Sequence, residues 1–77
     1  MIKMYGTRWC GDCKLAKSVL DSEGVPYQWI DIEAEADAVE LVQSLNGGMR
    51  RVPTILFPDG RVLVEPSRSE LRAAIDV

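Results

Sequence analysis

The chain has 77 residues, of which 47% are hydrophobic, and carries a formal net charge of −3. This is ordinary apolar content for one small globular domain spanning 1–77, and the acidic balance argues against nucleic acid as a main partner. No apolar run approaches the roughly 18 residues of a membrane span, and Met1-Ile2-Lys3-Met4-Tyr5-Gly6 lacks the pattern of a secretory signal.

In chain order, Ile2 to Gly6 reads as the first strand, and Thr7 to Trp9 as a turn. Trp9-Cys10-Gly11-Asp12-Cys13 then holds both cysteines and opens a helix from Gly11 to Glu23, with Leu15, Ala16, Val19 and Leu20 on one face. Gly24 stops that helix and Pro26 prevents its continuation. Tyr27 to Ile32, rich in aromatic and β-branched residues, is the second strand. The strand–helix–strand order implies a parallel pair with a right-handed crossover. A second helix is expected from Ala34 to Leu45, with Ala38, Leu41, Val42 and Leu45 inward. Asp31, Glu33, Glu35, Asp37 and Glu40 crowd its start, where the helix dipole favours acids, and read as a solvated capping face. Asn46-Gly47-Gly48 ends it. Pro53 can open a strand but not sit inside one, so the third strand is Thr54 to Phe57. Pro58-Asp59-Gly60 is turn chemistry leading to an antiparallel strand, Arg61 to Val64. Ser67-Arg68-Ser69-Glu70 fits a capping box for a last helix ending near Ile75. The order β-α-β-α-β-β-α predicts an α/β fold: a mixed four-stranded sheet with helices on both faces, burying all three helical stripes in one core.

A Cys-x-x-Cys pair at a strand-to-helix junction has a specific chemistry. Amides of the first helical turn lack partners and mark the positive end of the dipole, so a thiolate placed there is stabilised. It can attack a disulfide sulfur, and the second cysteine is close enough to attack the resulting mixed disulfide. Cys10 is therefore the expected nucleophile and Cys13 the resolving cysteine. Three other readings compete. Zinc needs about four ligands, and with no His and no third Cys it would require carboxylates or a site shared between two chains. A structural staple closing so short a loop would contribute only about 2 kcal/mol. The third is a chance pairing of two thiols. Without export, the expected compartment is the reducing cytosol, where a lone pair is more often catalytic than structural; a mature periplasmic chain would read the same way.

With Trp9-Cys10-Gly11-Asp12-Cys13 followed by Val52-Pro53-Thr54, nearly the whole chain resembles the glutaredoxin branch of the thioredoxin superfamily. The stretch from Val42 to Thr54, Asp59-Gly60 and Pro66 look most like mycoredoxins, the small glutaredoxins that work with mycothiol. The resemblance implies a thioredoxin fold of glutaredoxin type and a cis Val52–Pro53 bond, with Val52 offering backbone to a substrate. It implies Trp9, Arg51, Val52, Pro53 and Ser67 as substrate-binding residues, Trp9 as a partly buried wall. Arg50 is expected in solvent, Met4 and Met49 in packing. Glutathione-binding members carry a lysine where Thr7 stands, and Gly-Gly followed by an acid near Val64-Glu65-Pro66-Ser67. Both departures weaken a grip on the carboxylates of glutathione and lean toward mycothiol. Asp12 opposes thiolate formation, and Arg8, Lys14 and Arg51 are placed to offset it.

The expected function is reduction of mixed disulfides between proteins and a low-molecular-weight thiol, with mycothiol or glutathione as co-substrate and no bound cofactor. The partners are that thiol, protein mixed disulfides and a reductase system, with no membrane and the chain a monomer. Two rivals remain. One is a dithiol donor to ribonucleotide reductase, itself reduced by thioredoxin reductase. The other is an iron–sulfur carrier using Cys10 and a small thiol from each of two chains.

Overall fold

Five residues, Ile2–Gly6, form β1 at the interior of the sheet, and alternation along them assigns the two faces. The computed structural model describes residues 1–76. After β1 come α1 (Gly11–Ser22), β2 (Tyr27–Asp31), α2 (Ala36–Leu45), β3 (Thr54–Leu56), β4 (Val62–Val64) and α3 (Arg68–Ile75). The sheet order is β2-β1-β3-β4, with β1 parallel to β2 and antiparallel to β3, and β3 antiparallel to β4. The α/β architecture is the one the sequence predicted.

The expectation of one core does not hold. The apolar residues divide into two clusters because alternate side chains of each strand point to opposite faces. Ile2 and Met4 of β1 meet Ile55, Phe57, the α1 residues Ala16, Val19 and Leu20, and Leu71 of α3. Tyr5 faces the other way and packs with Ile30, Ile32 and the α2 residues Ala38 and Val42. Each large apolar side chain so enclosed contributes about 1.5–3 kcal/mol relative to exposure. No helix among the described residues is long and apolar enough to cross a membrane.

Local chemistry explains where boundaries move. α2 starts at Ala36, not Ala34, because Asp31 closes a turn first: its carboxylate accepts the Glu33 amide at 2.9 Å and its carbonyl the Ala34 amide at 3.1 Å. β4 starts at Val62 because the Asp59 carboxylate takes the Arg61 amide at 3.1 Å. α1 ends in a Schellman pair, with the Val25 amide on the Leu20 carbonyl (2.9 Å), the Gly24 amide on that of Asp21 (3.1 Å) and Gly24 at φ +67°.

The capping box is present at α3. The Ser67 hydroxyl accepts the Glu70 amide at 3.1 Å, and the Ser67 amide donates to the Glu70 carboxylate at 2.9 Å. Ser67→Ala is expected to cost about 1 kcal/mol, a fall in Tm of about 4–8 °C for a domain of this size. A thermal melt checks this, and an unchanged Tm would show that the cap contributes little.

Candidate active site

The C-terminal end of β1 and the N-terminal end of β3 lie side by side, with Tyr5 opposite Thr54. Beyond Gly6 the chain turns through Thr7–Trp9 into α1, whose N-cap is Cys10. The Cys10 sulfur accepts the Cys13 amide at 3.1 Å and lies 3.8 Å from the Val52 carbonyl, to which its thiol donates. Two elements far apart in sequence, the α1 start and the segment before β3, therefore meet at one sulfur.

That segment is braced from both sides. Thr54, fully buried, donates its hydroxyl to the Arg51 carbonyl at 2.7 Å and accepts from the Asn46 side chain at 3.2 Å. Asn46 also donates to the Val42 carbonyl at 2.8 Å, tying the brace to the end of α2. On the other side the Glu65 amide donates to the Pro53 carbonyl at 2.9 Å. Pro53 is buried and Val52–Pro53 is cis, as the resemblance implied.

The two cysteines, both free thiols, differ sharply in setting. Cys10 is partly exposed, whereas Cys13 is 1% exposed. Burial pushes the Cys13 thiol up to about 12, helped by its hydrogen bond with Cys10 and opposed by the Thr7 backbone and the charge of Lys17. The folded protein thus holds the Cys13 proton more tightly than the unfolded chain does. Its contribution to stability is complete below the ordinary thiol value near 9 and is lost as pH rises toward 12. Under reducing conditions, wild type is expected to lose more stability across that window than Cys13→Ser, by a few kcal/mol. Parallel melts would refute the assignment if the two proteins declined together.

The other expected binding residues are distributed unevenly. Trp9 is 68% exposed, not a partly buried wall, because residues 7–9 lie beyond the last paired residues of the sheet. With Thr7, Ile32, Glu33, Arg50 and Val52 it lines a shallow groove of about 310 Å³. Arg50 is exposed, as expected, and stands at the border of this groove. Arg51 instead reaches Glu65, at 3.6 Å. Glu65 holds a left-handed backbone, φ +48°, beside the braced Pro53. Ser67 uses its hydroxyl on the α3 cap. Met4 is core, but Met49 is exposed. A second groove of about 280 Å³, bordered by Val25, Pro26, Phe57 and Ile75, lies at the opposite end of the sheet and contains neither cysteine.

Gly6 is a site residue that the sequence reading missed. A Cβ there would stand 2.5 Å from the Cys13 sulfur and 2.7 Å from the Trp29 ring. The signal was present: Ile2, Met4 and Gly6 share the buried face, and a glycine at such a strand position marks a close approach. Trp29 and Lys17, which complete the surroundings of Cys13, left no comparable mark.

Comparison with known proteins agrees with this geometry. The glutaredoxin family model matches residues 2–63. A Mycobacterium tuberculosis protein assigned as a glutaredoxin is 42% identical over 74 residues, covering 96% of this chain and 88% of that one. Mycoredoxin 1 of Corynebacterium glutamicum is 36% identical over 75 residues, covering 97% and 92%. Among solved structures, the glutaredoxin of Archaeoglobus fulgidus superposes with a TM-score of 0.84 at 27% identity, covering 99% of this chain and 86% of that one.

Proposed function

The chain belongs to the glutaredoxin family of thiol–disulfide oxidoreductases, and we propose that it reduces mixed disulfides between proteins and a low-molecular-weight thiol, with Cys10 as nucleophile and mycothiol as the thiol. The observation that carries the assignment of roles is the unequal exposure of the two sulfurs. Cys10, on the helix cap, can be reached from solution, whereas Cys13 is enclosed behind it.

The Cys10 sulfur attacks the small-thiol sulfur of a protein mixed disulfide. The protein thiol leaves, and Cys10 becomes joined to the small thiol. The Cys13 amide already points at the attacking sulfur, and such a bond strengthens as the acceptor gains charge. A second small thiol then attacks the bound small-thiol sulfur, leaving as the small-thiol disulfide and freeing the Cys10 thiolate, or Cys13 attacks the Cys10 sulfur, displaces the small thiolate and closes the Cys10–Cys13 disulfide. The groove beside Trp9 and Val52 is the place for the small-thiol moiety, and the braced Val52 backbone for the extended protein segment.

Three features support mycothiol over glutathione. Thr7 stands where glutathione-binding members carry a lysine, Arg51 is engaged by Glu65, and mycoredoxin 1 is among the relatives. Mycothiol, a cysteinyl sugar–inositol conjugate, has no carboxylates to be held. The test is a turnover assay on one protein mixed disulfide with mycothiol, glutathione or a thioredoxin reductase system as reductant. Mycothiol is expected to support the highest kcat/KM. Turnover with thioredoxin reductase and NADPH alone would favour the dithiol-donor reading.

A further inference from the structure

Lys17 lies one helical turn beyond Cys13 on α1, so the two side chains share a face. Its Nζ sits 3.5 Å from the centroid of the Trp29 ring, and it makes no ion pair among the described residues. A surface lysine ordinarily samples solvent; an aromatic face gives its ammonium a seat. The edge of that ring and the Cys13 sulfur converge on one point, the place of a missing Gly6 Cβ, at 2.7 and 2.5 Å respectively. Cation, ring and buried thiol therefore form one cluster behind the catalytic cysteine. Of the groups acting on the Cys13 thiol, Cys10 favours the protonated form, while the Thr7 backbone and Lys17 favour the thiolate.

We infer that Lys17, seated on Trp29, is a positioning residue for the second half of the reaction, where its charge stabilises the Cys13 thiolate as it attacks the Cys10 sulfur of a mixed disulfide. The inference rests on the assignment of Cys10 as nucleophile. In this step a bond forms between the Cys13 and Cys10 sulfurs. The bond from Cys10 to the small thiol breaks, and its electron pair leaves with the small thiolate. That thiolate takes up a proton in place of the one Cys13 released. Cys13 is oxidised from the thiol to the disulfide level and the small-thiol sulfur is reduced from the disulfide to the thiol level, while Cys10 stays at the disulfide level. The first attack, by Cys10 from the solvent side, does not involve Lys17.

The test uses Ellman's reagent on the reduced protein in a stopped-flow instrument. Attack by Cys10 releases a first thionitrobenzoate, and closure by Cys13 releases a second. Loss of the neighbouring charge lowers the Cys13 thiolate fraction, and the greater nucleophilicity of the more basic thiolate offsets only part of this, so Lys17→Met is expected to slow the second phase, by about threefold for each tenfold fall in that fraction. Its first phase stays at the wild-type rate. Lys17→Arg restores the second phase, and Trp29→Leu slows it less than Lys17→Met does. Equal slowing of both phases, an unaffected second phase, or failure of Lys17→Arg to restore it would overturn the proposal. The nucleophile assignment is read separately, since Cys10→Ser must lose the first phase whatever happens at Lys17.

Discussion

Cys10→Ser is expected to lower turnover of a protein–mycothiol mixed disulfide by at least about a thousandfold, because a serine hydroxyl cannot replace an attacking thiolate. Cys13→Ser is expected to stay within about threefold of wild type on the same substrate. The first attack needs only Cys10, which is the exposed sulfur. The small thiol in solution can perform the second attack, so Cys13 is dispensable on that route. Reduction of an ordinary protein disulfide differs. There the first attack traps the substrate covalently, and a neighbouring thiol resolves it fastest because proximity supplies a large effective concentration. Cys13→Ser should then accumulate as a stable mixed disulfide, visible by mass spectrometry. Equal loss of both activities in Cys13→Ser would make a dithiol donor, such as one serving ribonucleotide reductase, the better account.

Gly6→Ala is expected to destabilise the fold by about 1–3 kcal/mol, the ordinary cost of overpacking a filled core. The added carbon would stand 2.5 Å from the Cys13 sulfur and 2.7 Å from the Trp29 ring. Neither neighbour yields easily. Cys13 is buried in the first turn of α1, and the ring lies beneath Lys17. Relief must come from moving the resolving thiol, so closure of the Cys10–Cys13 disulfide should slow along with the loss of stability. Gly11→Ala is the control. It lies inside the Cys-x-x-Cys motif, yet a Cβ there meets nothing within 4 Å, and alanine is the better helix former by up to about 1 kcal/mol. Chemical denaturation should therefore show Gly6→Ala destabilised and Gly11→Ala unchanged or more stable. The reverse order would mean that the glycine matters in the motif and not in the strand.

Much of the site could be read along the chain. Cys10 stands at a helix start because Gly11 to Ser22 carries an apolar stripe of helical period, and a residue preceding such a stripe becomes its cap. Ser67 and Glu70 form a capping box because both partners lie within one turn. The turn at Asp59-Gly60 and the stop at Gly24 depend equally on neighbours a few residues away. The choice between Arg50 and Arg51 was not legible in this way. Two adjacent arginines have nearly the same local surroundings, and Glu65, fourteen positions on, captures Arg51 while Arg50 borders the groove. The boundary of α2 failed for a subtler reason: the Asp31 side chain competed with the helix for nearby amides and closed a separate turn.

By itself, the sequence determined the order of the elements, the pairing of Cys10 with Cys13 at a helix start and the redox class of the chemistry. All three depend on periodicity and capping over spans of a few residues. Tertiary structure alone decided how unequally the two sulfurs are buried, because burial is a property of what other segments bring. β1 supplies a missing side chain at Gly6, β2 supplies the Trp29 ring, and the segment before β3 supplies the Val52 carbonyl. The same long-range meeting separates the apolar residues into two clusters, since the sheet stands between α2 and the pair formed by α1 and α3. Spacing along the chain placed the thiols three residues apart; the packing of distant segments enclosed Cys13 and left Cys10 open to its substrate.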